Sequence, residues 1–559
     1  MDVEFCGSPR NTLGVEVELA VVDDETGALL CVASDVIAGL ASGRTDGAHP
    51  FAKNELYEAA LAALPGESDF KRVDIVIKKG KIERIAVPGS LDAEASSPAG
   101  RDVLDARGLL LFPGAIDPHV HFDEPGFTHR EDFLHGSSEA ARGGVTTVID
   151  MPCTSIPPVT SLENLKQKLK AVAPSSVVDF GFFGGVNGKS DDKAIAETIH
   201  SLSPEVLGFK CYFVSGMESF TAVSERQFAL AVEACAQAGR PLLLHAEDPG
   251  VIAEAQARLA RERPAETGGG EAQLSKLRAA PRFHYMGGPA PRDVLSWRDY
   301  YASRPMEAET AACATALRLA GGRASSLHIV HIGTAEAAQM VKAAGGSCET
   351  CAHYLAFDEE DFELLGPALK TAPPVKEPGQ KALLWRLLAS RRIDFVSSDH
   401  AGAPEYEKFT GDPLSAYGGI PGTGMLFPYL LSEGLFAKRL TLQRFLQATA
   451  GAAAERYGIS GGKGSISPGK DADLVLVDPE LSTLVEAGSM LCKNKITPFA
   501  GMRLAGSVAG TLLRGNWVYL SSGLIDGHGA VRAPTGGPLD KPGIVASPGS
   551  GKFVRWGYK

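Results

Sequence analysis

The stretch LLLFPGAIDPHVHF, residues 109–122, joins an apolar run of strand length to two histidines at its end. A near-continuous apolar run is typical of a parallel strand that is covered on both faces. His119 and His121 are two residues apart, so their imidazoles point to the same side of a strand. Such a pair can bind one metal ion, and Asp117 could support it. Alone, the pattern is a weak signal, because two unrelated histidines explain it about as well.

Seven further apolar runs follow, separated by amphipathic segments that predict helices. They are VTTVIDMP (145–152), VVDFGFFGGV (177–186), VLGFKCYF (206–213), PLLLHAED (241–248), SLHIVHIG (326–333), SCETCAHYL (347–355) and IDFVSSDHA (393–401). Eight strands that alternate with helices predict an α/β fold, a (β/α)8 TIM barrel, here over residues 112–462. In such a barrel the C-terminal strand ends converge on one face, where active sites lie.

Residues of metal-ligand type end five of these eight runs. After the histidine pair come Lys210, His245, His331 and Asp399, each late in its own run. One buried histidine is usually a satisfied core residue, and a buried lysine usually pairs with a carboxylate. Five such ends in one barrel are hard to ascribe to chance, so the sequence predicts a metal centre on this face. His328, three residues before His331, is expected to point to the opposite side of its strand and to be structural.

Segments that flank the barrel indicate further parts. Residues 66–111 and 463–521 contain short strands and are expected to join into one small β domain. The tail, residues 522–559, is rich in Gly and Pro and is expected to be extended or poorly ordered. The turn-rich segment 262–296 is expected to be a loop insertion near the active face, either a lid or a decoration.

Bulk properties exclude several classes of protein. The 559 residues carry a formal net charge of -12, and no Lys/Arg cluster suggests nucleic-acid binding. No run of 18 apolar residues predicts a membrane span, and the N-terminus lacks the apolar core of a signal peptide. The nine cysteines are scattered, which is not a disulfide framework, and the lone CxxC pair at 348–351 does not indicate structural zinc. We therefore expect a cytoplasmic protein.

Taken together, the motifs resemble a known family. PGAIDPHVHFDEPG, GGVTTVIDMP, GFKCYF, LLLHAED, IVHIGT, ETCAHYL and SSDHAGAP occur in the order of the dihydroorotase, allantoinase and hydantoinase branch of the amidohydrolase superfamily. The resemblance covers about residues 72–520. It implies hydrolysis of a cyclic amide C–N bond by a hydroxide that bridges two divalent metal ions, usually Zn²⁺. It also implies a small-molecule substrate and a homo-oligomer, since the family often forms dimers or tetramers.

The resemblance also assigns the ligands. His119 and His121 would hold the first ion, and His245 and His331 would hold the second. Lys210 would be carboxylated to N6-carboxylysine and bridge both ions. Asp399 would bind the first ion and act as the catalytic base.

The expected substrate follows from positions at which this sequence differs from the usual patterns of this branch. Dihydroorotases typically place Arg where this chain has Asp123, whose acidic side chain would repel a carboxylate substrate. Hydantoinases usually place Tyr where this chain has Ser215. The strings MPCTSIPPVT, VDFGFFGGV, FKCYFVSG and YYASRP look most like allantoinase, so ring opening of an allantoin-like ureide is favoured. Candidate substrate contacts are Asp123, Ser215 and His353.

Alternatives remain open at this point. Dihydroorotase and hydantoinase or dihydropyrimidinase are the alternative activities. A non-catalytic scaffold relative is the alternative of another class, which the complete ligand set disfavours. Residues 5–60 resemble the start of carboxylate–amine ligases but are too few to hold ATP. Residues 1–65 are therefore expected to be a ligase-like fragment without that activity.

Overall fold

The computed structural model describes residues 21–22, 29–30, 61–88, 106–262, 296–522 and 543–559. The chain forms two compact units, Met1–Ala59 and Ala60–Lys559. In the first unit, strands β1 (Val21–Val22) and β2 (Leu29–Leu30) pair in antiparallel fashion. The expected ligase-like fragment and the 262–296 insertion lie almost entirely outside the described residues.

The second unit contains the predicted (β/α)8 barrel, in which neighbouring strands pair in parallel. Its strands are β8 (Ala115–Val120), β9 (Val145–Asp150), β10 (Asp179–Phe182), β11 (Gly184–Gly185), β12 (Phe209–Tyr212), β13 (Leu242–His245), β14 (Leu327–Ile329), β15 (Ser347–Cys351) and β16 (Phe395–Ser397). β10 and β11 are two parts of one barrel position, interrupted at Phe183. The ring closes where the His121 N–H donates to the His400 carbonyl at 2.7 Å.

Helices follow every barrel strand. They are α1 (Phe133–Arg142), α2 (Leu162–Val172), α3 (Asp192–Leu202), α4 (Glu225–Ala238), α5 (Pro249–Glu262), α6 (Trp297–Ser303), α7 (Met306–Ala320), α8 (Ala335–Ala343), α9 (Ala352–Ala356), α10 (Glu359–Leu365), α11 (Pro378–Ala389), α12 (Glu405–Lys408), α13 (Thr423–Tyr429), α14 (Leu442–Leu446) and α15 (Ala452–Arg456). Short 3-10 turns occupy Gly321–Ser326, Gly366–Leu369 and Ala487–Ser489, and π turns occupy Leu430–Phe436 and Gln447–Gly451. None of the helices in these ranges is long and apolar enough to cross a membrane.

Burial explains why the strands are near-continuous apolar runs. Every residue of β8, β9 and β13 is buried. One set of side chains, including Ile116, Leu243 and Phe395, forms a cluster of its own. The larger cluster holds the other set, including Val120 and Leu244, together with helix residues. Both faces of each strand are therefore covered, as the sequence pattern predicts for a parallel barrel.

A β domain is built from both flanks of the barrel. Its seven-stranded sheet has the order β20 (Gly543–Ile544), β19 (Asn516–Leu520), β18 (Arg503–Leu513), β17 (Leu474–Leu484), β7 (Leu110–Pro113), β3 (Leu61–Ala62) and β4 (Lys71–Arg72). The hairpin of β5 (Asp74–Lys78) and β6 (Lys81–Ala86) turns at Lys79 and Gly80, both with positive φ, as a tight hairpin turn requires. The sheet thus includes short strands beyond residues 66–111 and 463–521.

Residues 543–559 of the C-terminal tail are well packed, so the expectation of poor order is wrong for this part, and residues 523–542 lie outside the described residues. Val554 is completely buried in the cluster that contains Ile116, Leu243 and Phe395. Phe553 packs against Phe180 near the start of β10. The Tyr558 hydroxyl donates to Asp471 at 2.9 Å. The Gly/Pro-rich composition predicted poor order, but the buried side chain of Val554 and the partly buried side chain of Phe553 remove enough apolar surface from water to order the end of the chain.

Candidate metal centre

The ends of β8 and β16 bring three predicted ligands together. His119 Nε2 and His121 Nε2 lie 3.1 and 3.3 Å from the same Asp399 carboxylate oxygen. One ligand atom from each residue falls within 4.8 Å of the others. Asp399 adopts a φ of 50°, a conformation that is uncommon outside glycine and often marks functional sites.

His245 and His331 form a second histidine pair beside the first. His245 Nδ1 lies 2.9 Å from His331 Nε2, and the rings of His331 and His119 are 5.5 Å apart. His331 follows the end of β14 and has a φ of 39°. All four predicted histidines therefore gather at the C-terminal strand ends.

Lys210 of β12 lies within this group and is fully buried. Among the described residues its Nζ has no hydrogen-bond partner, and it lies 4.9 Å from the centroid of the Tyr212 ring. Burial lowers the pKa of Lys210 to about 8, although Cys153 and Asp399 oppose this shift. An unpaired buried ammonium costs several kcal/mol, roughly, so this amine needs either a negative partner or a neutral form.

The protonation states of three proposed ligands suit metal binding, whereas Cys153 and Asp399 outweigh burial and raise the pKa of His121 to about 10, so this imidazole has to lose a proton to an incoming metal ion. Burial lowers the pKa of His119 and His331 well below the ordinary value, so these imidazoles are neutral near pH 7. Burial alone would raise the pKa of Asp399, but His119 and a hydrogen bond from His121 hold it well below its usual range. Neutral imidazoles and an ionised carboxylate are the forms that coordinate divalent metals.

Acidic side chains hold two of the imidazoles from behind. Glu349 Oε1 lies 2.7 Å from His119 Nδ1, and Glu247 Oε2 lies 2.8 Å from His245 Nε2. Arg304 in turn holds Glu247, with Nε at 2.9 Å. Each contact fixes a ring so that its other nitrogen faces the centre.

Neither acid is predicted from the sequence as a partner of these histidines. Glu247 lies two residues after His245, and this spacing is the signal that could have found it.

Asp117 acts on the backbone of the site: its Oδ1 accepts the N–H groups of His119 at 3.4 Å and Ser398 at 3.1 Å, which ties β8 to the end of β16. The expectation for His328 needs correction. His328 is structural, but it does not lie away from the site, because its Nε2 is 3.3 Å from Glu349. Strand alternation fails between positions 328 and 331, since β14 ends at Ile329 and His331 has a left-handed backbone.

The three candidate substrate contacts differ in availability. Asp123 is fully buried with a φ of 59°, and within the described part of the chain neither carboxyl oxygen has a hydrogen-bond partner. Burial accordingly raises the pKa of Asp123 well above its usual range. His353 Nε2 is likewise buried with no partner among these residues, and burial lowers the pKa of His353 to about 4.

Ser215 is committed to its own loop. Its hydroxyl donates to the Phe220 carbonyl at 2.6 Å and accepts the Met217 N–H at 3.2 Å. Of the three candidates, Asp123 and His353 are therefore the ones with free hydrogen-bonding capacity near the centre.

Comparison with known proteins agrees with this architecture. The amidohydrolase family model matches residues 110–518. Allantoinase from Rubrobacter xylanophilus is 34% identical over 474 residues, covering 81% of this chain and 96% of that protein. Allantoinase from Solibacter usitatus is 33% identical and covers 84% and 93%.

Solved structures give the same result. L-hydantoinase (dihydropyrimidinase) from Arthrobacter aurescens superposes with a TM-score of 0.72 at 27% identity, covering 89% of this chain and 99% of that chain. The family match over residues 110–518 and the level of identity to these relatives lead to one conclusion: this chain belongs to the amidohydrolase family.

Proposed function

We propose that this protein is a metal-dependent hydrolase that opens the ring of an allantoin-like cyclic ureide. The observation that carries the proposal is the buried Lys210 amine, which has no hydrogen-bond partner in the described part of the chain and lies among four histidines and an aspartate. In a structural role this lysine would need an anionic partner. As a carbamate it would itself be the anion, placed between cations.

The residues present fit two divalent ions. His119, His121 and Asp399 would hold one, His245 and His331 the other, and carboxylated Lys210 both. The nitrogen and oxygen donors suit Zn²⁺, which takes these ligands readily. When bound, two such ions lower the pKa of a water molecule and polarise the scissile carbonyl.

Proton transfer falls to Asp399. Its carboxylate is ionised and lies beside both β8 imidazoles, so it can accept the proton that water loses on adding to the carbonyl carbon. It then delivers this proton to the ring nitrogen that leaves. A ring amide nitrogen is a poor leaving group without a proton, so one residue serves both halves of the reaction.

Two features favour a ureide as the substrate. The allantoinase relatives are matched over more than nine tenths of their length at 30–34% identity. The unpartnered oxygens of Asp123 can accept N–H groups, which the carbamoylamino substituent of allantoin supplies. The carboxylate substituent of dihydroorotate offers no such donor in the place of the carbamoylamino group, which disfavours dihydroorotate.

Hydantoin or a dihydropyrimidine is the second candidate substrate. The L-hydantoinase structure at 27% identity favours it, and its ring contains the same type of cyclic amide bond. The presence of every predicted metal ligand argues against the alternative that the protein is a non-catalytic scaffold. The predictions of a homo-oligomer and of a cytoplasmic location are unchanged.

A substrate panel tests the proposal. The protein, loaded with Zn²⁺ in bicarbonate buffer, is assayed with allantoin, hydantoin, dihydrouracil and dihydroorotate, and Asp399→Asn serves as the inactive control. We expect kcat/KM to be highest for allantoin. Turnover of dihydroorotate alone would contradict the substrate assignment. A protein that retains no divalent metal in this buffer would contradict the proposed enzyme itself.

A further inference from the structure

Cys153 and Tyr212 make a side-chain contact across the mouth of the barrel. Cys153 lies three residues after β9, and Tyr212 is the last residue of β12. The Cys153 Sγ is 3.0 Å from the Tyr212 hydroxyl, and either group could donate. β9 and β12 are not neighbours in the barrel, because β10 and β11 lie between them. The contact therefore joins strand ends that no backbone ladder connects directly.

On one side, this contact reaches His121. The Cys153 Sγ lies 3.8 Å from His121 Nδ1, which is also 3.2 Å from the Thr154 hydroxyl. The other ring nitrogen, Nε2, faces Asp399 at 3.3 Å. Because the two nitrogens lie on opposite sides of the imidazole, the thiol stands behind the ring. Cys153 is thus placed to orient His121 and not to share its ion.

On the other side, the contact reaches His245. The Tyr212 ring stacks on the His245 ring with centroids 5.1 Å apart and planes 27° apart. Phe220 packs edge-on against the same tyrosine at 5.8 Å, which limits its movement. The Lys210 Nζ lies 4.9 Å from the Tyr212 ring centroid. A shift of the tyrosine would therefore move the surroundings of His245 and Lys210 together.

We propose that Cys153 and Tyr212 form a positioning bridge that holds His121 and His245, and so the two halves of the metal centre, in a fixed relative orientation. The proposal rests on the proposed function, since it concerns the same metal centre. Neither residue has to touch the substrate or transfer a proton. Their effect passes through the imidazoles, whose direction decides how well each ion is held.

Removal of either end tests the bridge. Tyr212→Phe deletes only the hydroxyl and keeps the ring stack, whereas Cys153→Ala deletes the thiol. In each variant we expect divalent metal to be lost to a competing chelator about 10-fold more readily, as is usual when a partner behind a metal ligand is removed. The Co²⁺-substituted protein should show a changed visible absorption spectrum. In turnover, kcat should fall more than KM rises.

The double variant separates a bridge from two independent contacts. Because both substitutions break the same contact, Cys153→Ala with Tyr212→Phe should be no worse than the more severe single variant. Cys153→Ser should restore much of the metal retention, since a hydroxyl can replace the thiol in the hydrogen bond. Cys235→Ala, which removes a buried thiol from helix α4, is the matched control and should leave metal retention unchanged.

Specific results would overturn the bridge. Unchanged metal retention and an unchanged Co²⁺ spectrum in folded Tyr212→Phe and Cys153→Ala would do so. A double variant whose defect equals the product of the two single defects would do so as well. Failure of the proposed function looks different, because the unsubstituted protein would then retain no divalent metal with bicarbonate present.

Discussion

Two buried lysines occupy opposite ends of the barrel and have opposite surroundings. Lys463 is 2% exposed, and its Nζ lies 2.5, 2.8 and 2.6 Å from carboxylate oxygens of Asp179, Asp471 and Asp473. Lys210 is 0% exposed, and no group in the described ranges forms a hydrogen bond with its Nζ. Asp179 begins β10, at the N-terminal strand ends, whereas the Lys210 Nζ lies 4.9 Å from the ring of Tyr212, the last residue of β12.

The difference distinguishes a structural charge from a chemical one. Burial disfavours both ammonium groups, but the carboxylates around Lys463 outweigh it and raise the pKa of that lysine. The pKa of Lys210 falls to about 8 because no group compensates its burial fully. A buried charge with several partners holds the fold together, while an unpaired one is kept only where function requires it. Asp123 follows the C-terminal end of β8 and His353 that of β15, and among the described residues both have side-chain atoms without a hydrogen-bond partner.

The largest effect is expected at Lys210. Lys210→Ala should reduce kcat/KM by about 10³-fold or more, because the residue that would bridge both ions is lost and the site acts as a unit. The free energy of unfolding should not fall by a comparable amount, since no native partner is left unpaired. Steady-state kinetics and urea unfolding of the same samples measure both quantities. Full activity in this variant would refute the bridging role.

Lys463→Met should show the reverse pattern. It leaves three buried carboxylates without their shared cation, and the free energy of unfolding should fall by about 3–5 kcal/mol. The protein that remains folded should still bind divalent metal, because the lysine lies at the other end of the barrel. Unfolding curves and metal content test this pair of results. A variant as stable as the unsubstituted protein would show that the two lysines do not differ as described.

A smaller, substrate-dependent effect is expected at Asp123. Asp123→Asn replaces the carboxyl group by an amide whose NH2 cannot accept a substrate N–H, so kcat/KM for allantoin should fall about 10-fold, the size of one hydrogen bond. Hydantoin lacks the carbamoylamino group, and its turnover should change little. Equal losses with both substrates would argue against a contact to the substituent.

Much of this arrangement could be predicted from sequence. Strands covered on both faces appear in the sequence as apolar runs. Candidate ligands at the ends of these runs can be located from the local sequence alone. His119, His121, Lys210 and Asp399 were found in this way. A barrel converts such local positions into one site, whatever their distance along the chain.

Contacts between distant residues could not be predicted. Glu349 lies 230 residues from His119, and only the closed barrel shows that the two meet. The prediction that His328 and His331 point to opposite sides of one strand was wrong. His331 follows β14 with a left-handed backbone, which strand alternation does not anticipate. The sequence does not predict the Cys153–Tyr212 contact either. The two residues follow or end strands β9 and β12, which are separated in the barrel by β10 and β11, so only the closed barrel shows that they meet.

Detection of the lysine carbamate tests the account most directly. The protein is loaded with Zn²⁺ in ¹³C-bicarbonate, and its ¹³C NMR spectrum and metal content are measured beside those of Lys210→Ala and Lys463→Met. We predict a carbamate resonance and about two ions per chain in the unsubstituted protein and in Lys463→Met, and neither in Lys210→Ala. An unsubstituted protein that binds the ions without a carbamate resonance, or a resonance that survives in Lys210→Ala, would contradict it.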